Sequence, residues 1–123
     1  MKQSALNLMK SLLNLHRKFL ELERLKTEAR EGQKLSPLEF FNRLTQDPAF
    51  EWLRPLSKII TDLDILTEED VITPQAQAQM LSNIKNILSM PNIKQSIEVY
   101  QTSDAEFKSL HEDFTKAMAA FEN

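Results

Sequence analysis

LSPLEFFNRLTQDPAFEWLRPLSKIITDLDIL, from Leu35 to Leu66, decides how the rest of the chain is read. It carries Phe40, Phe41, Phe50 and Trp52, and three of the five prolines. Ser36 is placed to cap the backbone N–H of Glu39, and Glu39 to reach back to Ser36, with Pro37 at the first helical position. Leu35 and Phe40 occupy the two places of a hydrophobic staple. These signals predict a short helix over 37–45. Asp47-Pro48 repeats the start signal. The apolar phase Ala49, Trp52, Leu56, Ile59, Leu63, Leu66 then predicts a helix over 48–66, kinked near Arg54. Pro55 inside it removes the bond to the Glu51 carbonyl, at a cost of about 3 kcal/mol.

Outward from this stretch the chain is helical throughout. On the N-terminal side, Leu8, Leu12, Leu15, Phe19 and Leu22 recur at helical spacing. A second row, Leu6, Met9, Leu13, His16 and Leu20, widens the apolar sector to that of a helix with two or more neighbours. The helix is expected from Gln3 to Glu31, about 45 Å long at the usual rise, and Gly32, the single glycine, is placed to end it. On the C-terminal side, Glu68-Glu69-Asp70 lies in a connecting loop. Thr73-Pro74 starts a helix whose Ala78, Leu81, Ile84 and Leu88, with the flanking Met80 and Ile87, are expected to face the core. Met90-Pro91 breaks it. Residues 92–121 continue in phase, with a break expected at 102–104, where Ser103 and Glu106 form a second capping box. One glycine, and a composition rich in Leu, Lys, Glu, Gln and Ala, leave little room for hairpins. The expected fold is all-α: an up-and-down helical bundle of four main helices plus the short helix at 37–45, forming one domain over 1–123.

The chemistry classes are narrowed by what the residues permit. A net charge of −3 disfavours nucleic acid as a partner, since binding it takes a basic face. No apolar run approaches the ~20 residues of a membrane span, and the N-terminal segment has no secretory h-region. With no cysteine, thiolate chemistry is absent and a reducing cytoplasm is the expected setting. His16 and His111 are the only histidines, and neither has a Glu three residues before it, so no di-iron pattern exists. The acids from Asp62 to Asp70 fail the calcium-loop pattern at three places. No nucleophile elbow, phosphate loop or dinucleotide fingerprint occurs. No cofactor, metal or catalytic residue is assigned.

What remains is the aromatic stretch. Either Phe40, Phe41, Phe50 and Trp52 pack the short helix onto the bundle end, or they form an exposed patch rimmed by Arg43, Arg54 and Glu51 that docks a partner. The function expected first is a non-enzymatic bundle acting through protein–protein contact, as a homodimer. The alternative is a small-molecule site beside Pro55, lined by Trp52 and Phe50. A metal-dependent enzyme is third.

The segment Leu44-Thr45-Gln46-Asp47-Pro48-Ala49-Phe50-Glu51-Trp52-Leu53-Arg54-Pro55-Leu56-Ser57 resembles a family of small uncharacterised bacterial proteins. In these, L-T-x-D-P-x-F-x-W-L-R-P-L-S follows a long N-terminal helix. The region of Tyr100 and Asp104 is loosely similar to that family's C-terminal part. The resemblance implies a bacterial, cytoplasmic, helical protein and brings no activity with it.

Overall fold

A computed structural model describes all residues from Met1 to Asn123. The secondary structure is all helical: α1 (Lys2–Glu31), α2 (Pro37–Gln46), a 3₁₀ helix (Pro48–Leu53), α3 (Arg54–Thr67), α4 (Pro74–Leu88), α5 (Pro91–Ser103) and α6 (Ala105–Glu122). No helix is long and apolar enough to cross a membrane.

The helix ends follow local chemistry. Gly32 closes α1 with φ 72°, its N–H on the Glu28 carbonyl. A Cβ at Gly32 would meet no atom within 4 Å, so glycine is favoured there by backbone conformation alone. The Ser36–Glu39 capping box is complete, its two bonds 3.1 and 3.2 Å long. Thr73 caps α4 through the Ala76 N–H.

Pro55 does not kink a helix. The six residues Pro48–Leu53 wind as a 3₁₀ helix, and α3 begins only at Arg54. Pro55 therefore sits in the first turn of a new helix, where an N–H has no intrahelical acceptor in any case. The Glu51 carbonyl, which Pro55 cannot serve, is taken instead by the Arg54 N–H. The expected 3 kcal/mol cost is not incurred. The tighter winding also shifts the register: Phe50, Leu53 and Leu56, three apart, are buried, whereas Ala49 is exposed and Trp52 half-buried.

The break before α6 is present, but its cap is Asp104 rather than Ser103. Asp104 Oδ1 accepts the Phe107 N–H at 2.8 Å, and Ser103 Oγ turns back to the Val99 carbonyl. Asp104 adopts an extended backbone conformation, while Ser103 still belongs to α5. On α4, Met80, Leu81 and Ile84 lie in the core as expected, whereas Ala78 is exposed.

Every helix contributes to one continuous apolar core, running from Ala5 to Phe121. Two partners cover α1: α6 and α3. This accounts for its wide apolar sector, although Leu6 and Leu13 at the sector's edge stay exposed. The 3₁₀ helix packs on α2, α3 and α5, and α4 on α3, α5 and α6. Phe19, Phe107 and Phe121 are fully buried, each worth roughly 1.5–3 kcal/mol of transfer free energy.

Candidate functional site

Phe40, Phe50, Trp52, Arg54, Pro55 and Arg43 do not converge on one surface. Phe40 and Phe50 meet edge to face, with ring centroids 5.7 Å apart, and both are buried. They close the corner between α2 and the 3₁₀ helix; Phe50 reaches no surface patch, and Phe40 shows only an edge to the groove between α1 and α2. Arg43 makes two parallel bonds to the Glu31 carboxylate at 2.7 and 2.8 Å, tying α2 to the end of α1. That fork is the main reason the Glu31 carboxyl lies below its usual range. Arg54 donates to the carbonyls of Leu44 and Asp47, each at 3.2 Å. Pro55 lines a depression with Lys58, Asp62 and Asn83, apart from Trp52.

Two concave places result. The first lies between α1 and α2, about 430 Å³ in volume. Leu20, Leu35, Phe40 and Leu44 supply its apolar lining, and Arg17, Glu21 and Arg24 its polar edge. Phe41 borders it and is 59% exposed; Leu38, one turn earlier on α2, is 68% exposed. Arg24 bonds to Glu28, whereas Arg17 has no ion-pair partner. Phe41 and Leu38 were legible in the sequence as the apolar positions of α2 that the staple does not use.

The second is a pocket of about 420 Å³ between α1, the 3₁₀ helix and α5. Trp52 and Tyr100 supply its aromatic surfaces, and Lys26, Asn92, Gln95 and Ser96 its polar groups. Behind it, the Tyr100 hydroxyl donates to the carboxylate of Glu23, a buried acid with no cation paired to it. Burial first, and the Glu23 hydrogen bond and charge next, push the Tyr100 phenol well above its usual value. The Tyr100 ring rests on Phe19 at 5.6 Å and on Phe107 at 5.6 Å, and Phe19 also meets Trp52 at 6.2 Å. The walls of this pocket are thus held from behind. Phe50 and Pro55 take no part in it.

The histidines serve separate places. His16 Nε2 lies 3.0 Å from Ser57 Oγ on α3. His111 stacks on Phe107 and tilts against Phe114. Burial lowers the pKa of both. No three His, Asp or Glu side chains converge as metal ligands. Comparison with models of protein families, with curated proteins and with solved structures finds no significant match.

Proposed function

We propose that this chain is a non-enzymatic helical module that acts through protein–protein contact, and that its partner is a second copy of itself, docked across α1 and α2. The observation that carries this reading is the juxtaposition of a projection and a recess on one face. Phe41 and Leu38 stand out from α2 beside the apolar groove of Leu20, Leu35 and Leu44. A two-fold contact must complement itself, and a projection next to a recess does so: each copy's Phe41 enters the other's groove. The rim carries both signs, with unpaired Arg17 near Glu21, so the same edge supplies cation and anion to its twin. Exposed large apolar groups grouped in this way are the usual mark of an interface.

The framework proposed for the module is an up-and-down bundle of four main helices. Its support is the opposed course of α1 and α6: Phe19 meets Phe107 near the start of α6, while Asn7 and Lys10 near the start of α1 share a groove with Asp113 and Ala117 further along α6.

Size-exclusion chromatography with light scattering tests the reading. The expected mass at micromolar concentration is twice the 14.3 kDa of the chain, falling to that of a monomer in Phe41→Asp with unchanged helical circular dichroism. A monomeric unaltered chain refutes it.

A further inference from the structure

We infer that the pocket between Trp52 and α5 is a binding site for a small planar anion, an aromatic carboxylate of one or two fused rings. The starting point is the wall that α5 presents. Asn92, Gln95, Ser96, Val99 and Tyr100 line the pocket, and their spacing of three, one, three and one is a single helical face. Exposed helix positions with no packing duty are ordinarily filled by strong helix formers. Lys94 and Glu98, on other faces of α5, follow that rule. Asn, Ser and Val are weak helix formers, and Asn92, Ser96 and Val99 are none of them buried, so this part of the face gives up helix propensity without packing into the core. Val99 is 52% exposed and Gln95 is exposed. A wall shaped for a ligand accounts for that choice.

The lining chemistry defines what enters. No carboxylate is among the lining residues, and Lys26 is the one cation there, free of any ion pair. The Asn92 and Gln95 amides and the Ser96 hydroxyl add neutral donors. The only other groups of size are aromatic: Trp52, half-buried, and Tyr100, whose hydroxyl is committed to Glu23 and whose ring is fixed against Phe19 and Phe107. An anion meets Lys26 and the amides, and a flat ring meets the indole. A single lining cation matches a single acid group on the ligand, which favours a monoanion. The volume lies in the range of small-molecule sites, and side chains already held in place lose little freedom on binding.

Trp52 is the only tryptophan, so its indole N–H gives a single resonance that reports on this pocket. The probe is 2-naphthoate, and the control is its neutral amide, 2-naphthamide. The expected result is a saturable shift of the Trp52 signal with naphthoate and binding about tenfold weaker for the amide, the scale of one charge-assisted contact. Lys26→Met is expected to weaken naphthoate about tenfold and to leave the amide unchanged. Lys26 is exposed, so this variant keeps its fold. Absence of a saturable shift, equal affinity for acid and amide, or indifference to Lys26→Met each overturns the inference. Phe41→Asp is expected to bind naphthoate as the unaltered chain does, which separates this site from the dimer contact.

Discussion

The Phe40–Phe50 corner and the Phe19–Trp52–Tyr100–Phe107 cluster are built from similar side chains to opposite ends. At the corner the two rings meet edge to face and both are buried, with only an edge of Phe40 reaching the α1–α2 groove. The polar groups that tie the corner are spent on backbone or on a neighbouring helix: Asp47 on the Ala49 N–H, Arg54 on two carbonyls, Arg43 on Glu31. In the larger cluster, Phe19 and Phe107 are sealed, but Trp52 and Tyr100 keep one side open. That cluster also holds a buried carboxylate. The contrast teaches that aromatic content by itself does not mark a site. What distinguishes a site is aromatic surface left uncovered although the fold has fixed its position.

Three substitutions bear on this contrast, in order of expected size. Phe50→Ala removes a ring from the sealed corner and is expected to cost about 3–5 kcal/mol in urea unfolding. A loss below about 1 kcal/mol would show the corner to be as open as the Trp52 pocket. Tyr100→Phe leaves the buried Glu23 carboxylate without its phenol donor, an expected loss of about 1–3 kcal/mol. The same variant carries a pH signature. The folded state holds the Tyr100 proton more tightly than the unfolded chain does, because the phenol is pushed above its usual 10.0. Its stabilising contribution is therefore complete below pH 10 and declines as pH rises beyond that value. Urea midpoints measured from neutral to alkaline pH are expected to fall less steeply in Tyr100→Phe than in the unaltered chain. Pro55→Ala is the smallest. Pro55 lies in the first turn of α3, so the change is expected to lose at most about 1 kcal/mol, through a looser unfolded chain. A gain of several kcal/mol would mean that Pro55 strains the helix after all.

Helix starts and stops were the most legible features, because caps are local. Ser36, Asp47, Thr73 and Gly32 act as their sequence context announces. The Pro48–Leu53 segment was misread because Ala49, Trp52 and Leu56 match an α-helical period, while Phe50, Leu53 and Leu56 match the three-residue period of a 3₁₀ helix. Only the fate of the Glu51 carbonyl decides between them. Ser103 was preferred to Asp104 because Ser103 and Glu106 have capping-box spacing, yet Asp104 satisfies the Phe107 N–H directly. The candidate pocket was half legible. Trp52 was singled out, and the uncharged row on α5 was visible in the sequence. Their meeting depends on α5 packing against the 3₁₀ helix, a long-range contact with no local sign. The pairing of Glu23 with Tyr100 spans 77 positions and has no local sign either.

The corner's polar ties have a further consequence. Glu28 holds the Leu35 N–H at 2.7 Å, Glu31 holds Arg43, and Arg54 holds the far end of α2. Entry and exit of the 36–54 segment are anchored by these bonds, while the side chains of Leu38 and Phe41 are exposed and take no part in them. The outward positions can therefore be rewritten without disturbing the anchors. Such a segment is suited to serve as a display cassette at the bench, where new side chains can be grafted at its outward positions while the frame beneath stays as it is.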